Sequence, residues 1–210
     1  MKVAVIGSGN MGAAFVKQLT AAGHEVRVAS RDATKAAAVA SQYAKAQAVP
    51  LASVASGADV IVLATPYDAA VDALRSVGDV KGKVVVDITN PLTPDYMGLT
   101  VGHDTSAAEQ IAKAVPAAEL VKGFNTVFAQ VLAAGSDLGG GQKVTVFVAS
   151  DSERAKKAAR ELAESIGFKV MDAGGLKNAR YLEPLGGLNI YFGYGADLGT
   201  AIAPTWITRQ

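Results

Sequence analysis

The sequence predicts an α/β protein with a doubly wound, mostly parallel sheet and a small C-terminal helical segment. Short β-branched runs alternate along the chain with alanine-rich stretches of helical length, and such alternation favours right-handed βαβ crossovers. The runs are apolar almost throughout, as is typical of parallel strands covered on both faces. The predicted strands span 3–6, 25–29, 59–64, 83–88, 119–123, 143–149 and 168–172, and the predicted helices span 10–22, 33–44, 67–77, 105–115, 126–134 and 151–165.

A change of composition near residue 173 divides the chain into two parts, although 210 residues form one substantial core more readily than two. Residues 1–172 are predicted to form the sheet domain, and residues 173–210, rich in Leu, Tyr and Gly, a helical segment that packs on it. In that segment Leu182, Leu185, Leu188 and Phe192 recur at helical spacing. Such a stripe indicates core or a subunit interface more often than the wall of a pocket.

Charge and residue usage argue against several classes of partner. The formal net charge is +1, with 20 basic and 19 acidic residues, so no basic surface argues for nucleic acid. The chain has no cysteine and two histidines, which argues against a metal site and fits a reducing compartment. The apolar run after Lys2 is too short for a signal peptide or a membrane span. We therefore expect a cytoplasmic protein whose partner is a small molecule.

The stretch VAVIGSGNMGAAF at residues 3–15 contains the pattern G-x-G-x-x-G at Gly7, Gly9 and Gly12. The pattern alone is a weak signal, because the chain has 22 glycines. Its place between a predicted strand and a predicted helix is typical of a Rossmann-type dinucleotide site. Gly7 would then permit the tight turn, Gly9 would leave room for the pyrophosphate, and Gly12 would let helix and strand pack closely. The alternative is a purely structural turn.

The end of the second predicted strand indicates which dinucleotide binds. Ser30 and Arg31 stand where an NAD site usually presents a carboxylate to the ribose 2′-hydroxyl. A hydroxyl and a guanidinium would bind a 2′-phosphate, so NADP is predicted over NAD. Asp32 is expected to cap the next helix, although a shifted alignment would place its carboxylate near the ribose. Lys35 either adds a second cation to the phosphate or is a solvated lysine on the helix surface.

Further segments follow the glycine turn in order: SRD (30–32), LATPYDA (63–69), VVDITNPL (85–92), VKGFNTV (121–127) and DAGGLKNARYLEPL (172–185). With them the sequence resembles the coenzyme F420-dependent NADP oxidoreductase family, to which the cytosolic reductase domain of the STEAP metalloreductases is related. The resemblance spans nearly the whole chain. It implies a Rossmann fold that binds NADP(H) and passes hydride between the nicotinamide and a small-molecule electron acceptor with a flat ring, either deazaflavin coenzyme F420 or a flavin.

The resemblance also implies a set of cofactor-binding residues, which lie where the predicted strands end. Ser8, Gly9, Asn10 and Met11 would hold the pyrophosphate, Ser30, Arg31 and Lys35 the 2′-phosphate, and Thr65, Pro66, Asn90, Pro91, Asn125 and Thr126 the ribose and nicotinamide end. The carboxyl ends of strands are where open α/β sheets bind ligands. Taken singly, the Pro, Thr and Asn residues are also compatible with ordinary turns.

No constellation of acid, base and nucleophile is recognisable in the sequence, and direct hydride transfer needs none. His103, on the loop after the fourth predicted strand, is a candidate proton donor, with a surface or capping histidine as the alternative. The leading hypothesis is an NADPH-dependent oxidoreductase that forms a homodimer. A non-catalytic NADP(H)-sensing protein and a carbonyl or imine reductase are the alternatives.

Overall fold

A six-stranded parallel sheet forms the centre of the protein, and the computed structural model describes residues 1–139 and 141–207. The strands are β1 (Lys2–Ile6), β2 (Glu25–Ala29), β3 (Ala46–Ala48), β4 (Val60–Leu63), β5 (Val84–Asp87) and β6 (Glu119–Lys122). They lie in the order β3-β2-β1-β4-β5-β6. This order is that of a doubly wound Rossmann-type sheet, and the predicted fold class is confirmed.

The edge strand β3 was not predicted from the sequence. It consists of Ala-Gln-Ala, without the β-branched residues that favour strands. Pairing with β2, from Val26 opposite Ala46 to Val28 opposite Ala48, holds it in the sheet. The preceding helix accordingly ends at Ala40, earlier than the predicted residue 44, so that the chain can return to the sheet edge.

Two further strands, β7 (Thr145–Val148) and β8 (Lys169–Asp172), pair in parallel with each other. An antiparallel bridge between Lys122 and Ala149 joins them to the end of β6, with N···O distances of 2.9 and 3.1 Å. The strands taken together are therefore mostly parallel, as predicted.

The helices are α1 (Asn10–Ala21), α2 (Ala33–Ala40), α3 (Tyr67–Ser76), α4 (Ala107–Ala114), α5 (Ala129–Ala134), α6 (Glu153–Ser165) and α7 (Ala179–Ile190), which continues into a π-helical turn over Tyr191–Gly195. Asp32 caps α2, as predicted, while Ser106 and Ser152 cap α4 and α6. Helix α5 begins at Ala129, later than the predicted residue 126, which leaves Thr126 beside Asn125 in the loop after β6. Within the described residues, no helix is long and apolar enough to cross a membrane.

Alternating side chains of the strands fill two cores, one on each face of the sheet. On β1, Val3 and Val5 belong to the core under α1, α2, α5 and α6, whereas Ala4 and Ile6 belong to the core under α3 and α4. All four side chains are almost completely buried. Burial on both faces explains why the strands are apolar runs without the alternation of a half-exposed strand.

Helix α7 contacts α4 and the loops that follow β5 and β6. The stripe of apolar residues predicted on it is divided between two environments. Leu182 is buried, whereas Leu188 and Phe192 are 48% and 40% exposed. The first part of the stripe therefore belongs to the core, and the second part forms an exposed apolar face.

Candidate functional site

Two adjoining cavities lie at the carboxyl edge of the sheet, next to the loops that follow β1 and β4. This is the point at which the strand order reverses, where open α/β sheets bind ligands. Each cavity has a volume of about 880 Å³. Both are lined by Gly9, Ala64, Thr65, Pro66 and Asp68. From these shared residues the first cavity extends to the end of β2, and the second extends to the ends of β5 and β6.

The glycine turn between β1 and α1 has a geometry that side chains would prevent at two positions. Gly7 has a φ of +115°, and a Cβ atom there would lie 2.2 Å from the carbonyl oxygen of Ala64. A Cβ atom on Gly12 would lie 2.0 Å from the carbonyl oxygen of Gly7. The first glycine therefore lets the loops after β1 and β4 approach each other, and the third lets α1 pack against the turn.

Gly9 differs from the other two glycines of the motif. It caps α1 without a side-chain acceptor, and a Cβ atom there would meet no atom within 4 Å. The space left by the missing Cβ lies at the junction of the two cavities, beside the first turn of α1. N–H groups of a first helical turn have no partner within the helix and attract an anion. The turn therefore fits the pyrophosphate of a nucleotide.

The far end of the first cavity contains the residues predicted to bind a 2′-phosphate. The Ser8 hydroxyl donates to Ser30 Oγ at 2.9 Å, and the Ser30 hydroxyl donates to the carbonyl oxygen of Asp32 at 2.6 Å. Arg31 is exposed and lines the cavity. Its guanidinium has no ion-pair partner in the part of the chain that the structure describes, so it is available to a ligand anion.

The structure shows the contacts of Asp32 and Lys35, the two residues for which the sequence left alternatives open. The Asp32 carboxylate accepts the backbone N–H groups of Thr34 and Lys35 at 3.1 and 3.2 Å, which is the geometry of a helix cap. The Lys35 ammonium lies 3.8 Å from that carboxylate, its side chain is 74% exposed, and it does not line the cavity. Arg31 is the single cation among the described residues that line the first cavity, whose carboxylates are those of Asp32, Asp68 and Asp72.

Two asparagines at neighbouring strand ends form part of the wall of the second cavity. Asn125 Nδ2 donates to Asn90 Oδ1 at 2.9 Å and to the carbonyl oxygen of Leu182 at 2.7 Å. Asn90 Nδ2 donates in return to the carbonyl oxygen of Asn125 at 2.7 Å. Because a carbonyl oxygen only accepts, the bond to Leu182 determines the orientation of the Asn125 amide. A Cβ atom on Gly186 would lie 2.8 Å from Asn90 Oδ1, so a glycine lets α7 come this close.

Three buried polar atoms of residues that line the second cavity have no hydrogen-bond partner among the described residues: Thr65 Oγ1, Thr89 Oγ1 and Asn125 Oδ1. A buried polar group without a partner costs about 1–3 kcal/mol, and native proteins contain few of them. The three residues follow β4, β5 and β6, so three separate loops bring them to one cavity. Their convergence leaves three unsatisfied polar atoms in the wall of one cavity.

The structure brings most of the predicted site residues together. Gly7, Ser8, Gly9, Ser30, Arg31, Thr65 and Pro66 line the first cavity, and Gly9, Asn10, Met11, Thr65, Pro66, Asn90, Asn125 and Thr126 line the second. Gly12, Lys35 and Pro91 line neither cavity. His103 is exposed, has a φ of +57° and lies with Lys177 and Arg180 in a separate groove of about 520 Å³. The geometry therefore does not place His103 beside either cavity.

Sequence reasoning assigned no role to Asp87, Lys122 and Glu183, which form a buried ionic network behind the second cavity. Lys122 Nζ lies 2.8 Å from Asp87 Oδ2 and 2.9 Å from Glu183 Oε1, and it donates to the carbonyl oxygen of Thr89 at 2.7 Å. Burial opposes the positive charge of Lys122, but the two carboxylates outweigh that effect and raise its pKa. The available signal was a charged residue at the end of each of two neighbouring apolar strands.

Comparison with known proteins shows which family the chain resembles. Residues 2–91 match the model of a family described as "NADP oxidoreductase coenzyme F420-dependent". The F420-dependent NADP reductase of Methanothermobacter marburgensis is 35% identical over 202 residues, which cover 88% of this chain and 89% of that reductase. Metalloreductase STEAP3 of Rattus norvegicus is 30% identical over 185 residues, which cover 88% of this chain but 36% of that longer protein.

Solved structures agree with the fold. A structure from Arthrobacter sp. FB24, assigned provisionally to the F420-dependent NADP reductases, has a TM-score of 0.84 and 30% identity and covers 96% of both chains. A reductive aminase from Aspergillus terreus has a TM-score of 0.65 at 18% identity, a likeness that concerns the fold alone. Since the identity to the Methanothermobacter reductase extends over most of both chains, this protein belongs to the coenzyme F420-dependent NADP oxidoreductase family.

Proposed function

We propose that this protein transfers hydride between NADP(H) and the deazaflavin coenzyme F420. The observation that carries the proposal is that two cavities of about 880 Å³ each share Gly9, Thr65 and Pro66. The first cavity fits the phosphates of a dinucleotide, and the second leaves room for a flat acceptor ring beside the nicotinamide. Relatives that are matched over 88% of this chain carry the name F420-dependent NADP reductase.

The glycine turn and the end of β2 would hold the phosphates of NADP(H). The N–H groups at the start of α1, from Asn10 and Met11, would bind the pyrophosphate together with Ser8. Ser30 and Arg31 would bind the 2′-phosphate through charge-assisted hydrogen bonds. The Asp32 carboxylate already accepts two backbone N–H groups as a helix cap. We therefore expect Ser30 and Arg31, and not Asp32, to contact the ribose, which favours NADP over NAD. Lys35 would reach the phosphate only if its ammonium left Asp32.

The wall formed by Asn90 and Asn125 would hold the nicotinamide end. The carboxamide of nicotinamide offers N–H donors and a carbonyl acceptor, which are the partners that the unpartnered atoms of the second cavity need. Asn125 Oδ1 would accept a carboxamide N–H. The bond from Asn125 Nδ2 to Leu182 fixes the amide, and in that orientation Oδ1 has no donor among the described residues. The hydroxyl of Thr65 or Thr89 would donate to the carboxamide oxygen. Pro66, Pro91 and Thr126 would support the same loops.

When bound, NADPH supplies the hydride, and the residues of the second cavity would hold the acceptor ring. The cavity is lined by the aromatic side chains of Tyr67, Tyr96, Phe128 and Tyr194, against which a flat ring packs. Hydride transfer requires two rings held at reacting distance, about 3–3.5 Å, in a site from which water is excluded. Hydride transfer requires no nucleophile from the protein.

The proposal is tested by mixing the protein with NADPH and, in separate reactions, coenzyme F420, FMN, FAD or a ferric chelate, and by following the loss of NADPH absorbance. We expect loss with F420 at a higher rate than with either flavin. Binding of NADPH without loss in any reaction would contradict the proposal and favour an NADP(H)-sensing protein. Loss with carbonyl or imine compounds alone would favour the third hypothesis.

We further propose a cytoplasmic homodimer that associates through the C-terminal segment, residues 173–210, the last three of which lie outside the described residues. Tyr191 and Phe192 lie three and four residues after Leu188, a helical spacing, and Leu188, Tyr191 and Phe192 are 48%, 48% and 40% exposed. An exposed apolar face of this kind is typical of a protein interface. Light scattering should give twice the 21.4 kDa mass of the chain, and a monomer mass at every concentration would contradict the proposal. The cysteine-free composition supports the cytoplasmic location.

A further inference from the structure

The network of Asp87, Lys122 and Glu183 contains one more carboxylate than ammonium. Every carboxylate oxygen accepts an N–H group. Asp87 accepts from Thr89 N at 2.9 Å and from Lys122 at 2.8 Å, and Glu183 accepts from Lys122 at 2.9 Å and from the N–H groups of Ala107 and Ala108 at 2.8 and 3.0 Å. Hydrogen bonds donated to all of its oxygens favour the ionised form of a carboxyl group. The formal charges of the three side chains sum to −1, and these side chains are at most 1% exposed.

The second carboxylate combines a structural role with an additional buried charge. One carboxylate suffices to pair with Lys122, and each additional buried charge carries a desolvation cost. Glu183 binds the first two N–H groups of α4, whereas the Ser106 cap accepts the third, that of Glu109, at 3.1 Å. A glutamine at position 183 would keep the size of the side chain and remove the charge, but it offers one acceptor oxygen where the carboxylate offers two.

The network lies directly behind the wall of the second cavity. Asp87 and Lys122 bind the amide and the carbonyl group of Thr89, which lines the cavity. Their field reaches the cavity itself. Tyr67 lines it, and the pKa of its phenol is raised first by burial and then by the charges of Glu183 and Asp87, against the opposing effect of Lys122. The field of the network at this position is therefore negative.

We propose that the surplus carboxylate makes the second cavity bind the oxidised nicotinamide more tightly, relative to the reduced one, than a neutral network would. This inference rests on the proposed function, in which the nicotinamide end of NADP(H) enters that cavity. Hydride transfer to the acceptor removes two electrons and one proton from the nicotinamide and leaves the ring with a positive charge. A fixed negative charge in a site shielded from water stabilises that cation. Asp87 and Glu183 act through their field and are positioning residues.

The test compares two binding constants in the full-length protein without any acceptor. Glu183→Gln removes one carboxylate and keeps the size of the side chain. Calorimetric titration with NADP⁺ and with NADPH should show that the ratio of the Kd for NADP⁺ to the Kd for NADPH rises about fivefold. Asp87→Asn removes the other carboxylate and should also raise the ratio of the two Kd values. If Glu183→Gln unfolds because the α4 contacts are lost, the Asp87 variant alone provides the test.

Glu109→Gln is the matched control, because Glu109 also lies at the start of α4 but pairs with Arg180 and lines neither cavity. Its ratio should equal that of the unaltered protein. Equal losses of affinity for NADP⁺ and NADPH in the Glu183 and Asp87 variants would overturn the inference and leave a structural role. Failure of the unaltered protein to bind either cofactor would instead overturn the proposed function, and that result appears before any substitution is made.

Discussion

The two cavities are built from the chain in different ways. In the first, the residues proposed to bind phosphates come from the stretch between β1 and the start of α2, which contains the glycine turn and the residues from Ser30 to Asp32, while the loop after β4 and helix α3 form the opposite wall. The second is held by bonds between distant residues, from Asn90 to Asn125 over 35 positions and from Asn125 to Leu182 over 57. The proposed phosphate contacts are therefore encoded by neighbouring residues, whereas the second cavity depends on the docking of α7.

The largest effect is expected for Gly12→Ala, which disturbs the packing of α1 against the glycine turn. The new Cβ atom would lie 2.0 Å from the main-chain oxygen of Gly7, which cannot rotate away. We expect the free energy of unfolding to fall by about 3 kcal/mol, as for a severe overpacking substitution. Chemical denaturation measures this loss.

Gly9→Ala is the matched control for that substitution. Its Cβ atom would meet no atom within 4 Å, so stability should remain within about 0.5 kcal/mol. NADPH binding should nevertheless weaken, because the methyl group occupies the space proposed for the pyrophosphate. Equal stability of the Gly9 and Gly12 variants would contradict the roles assigned to the two glycines.

Arg31→Ala tests the other end of the first cavity. Removal of the guanidinium should weaken NADPH binding by about 1.5–3 kcal/mol and leave NADH binding nearly unchanged. Calorimetric titration with both cofactors measures the difference. Lys35→Ala should cost less, because Lys35 lies beside Asp32 and does not line the cavity. A loss of the same size for NADPH and NADH would remove the assignment of Arg31 to the 2′-phosphate.

Gly186→Ala disturbs the packing of α7 against Asn90 and Asn125 in the wall of the second cavity. Its Cβ atom would lie 2.8 Å from Asn90 Oδ1 and 2.9 Å from the carbonyl oxygen of Asn125. We expect a loss of about 1–2 kcal/mol in unfolding free energy and slower acceptor-dependent NADPH oxidation. The preference for NADPH over NADH should persist, because the first cavity is unchanged. If that preference disappeared, the two cavities would not be independent.

The neighbouring glycine supplies the control for Gly186. A Cβ atom on Gly187 would meet the side chain of Leu99 at 3.4 Å, a contact that a flexible side chain can accommodate. Alanine is favoured over glycine inside a helix by about 1 kcal/mol. Gly187→Ala should therefore leave the protein as stable as before or slightly more stable, as measured by the same denaturation experiment.

The smallest effect is expected for Thr89→Val, which removes a buried hydroxyl that has no partner in the described residues. Without cofactor the variant should be more stable than the unaltered protein by up to about 1 kcal/mol, since an unpaired polar atom disappears. With saturating NADP(H) this advantage should shrink, because a ligand contact is lost as well. A variant that is less stable without cofactor would show that the hydroxyl already has a partner.

Prediction from the sequence succeeded where neighbouring residues carry the signal. The apolar runs and their alternation with helices predicted the parallel sheet, and the spacing of Gly7, Gly9 and Gly12 between a strand and a helix predicted the turn that joins β1 to α1. Strand β3 was not predicted, because the residues of Ala46–Ala48 have low strand propensity. Lys122 was not recognised as part of a network, because the carboxylates that it contacts are distant in sequence.

By itself the sequence determined the doubly wound sheet, the glycine turn and the Ser30–Arg31 pair at the end of β2, because each depends on residue types within one strand, one helix or the turn between them. Only the tertiary structure decided that Asn90, Asn125 and Gly186 meet in one wall, that three polar atoms are left there without partners, and that Glu183 reaches Ala107 across 76 positions. Local sequence does not predict such contacts, because they form between distant segments when helices and loops pack on the sheet.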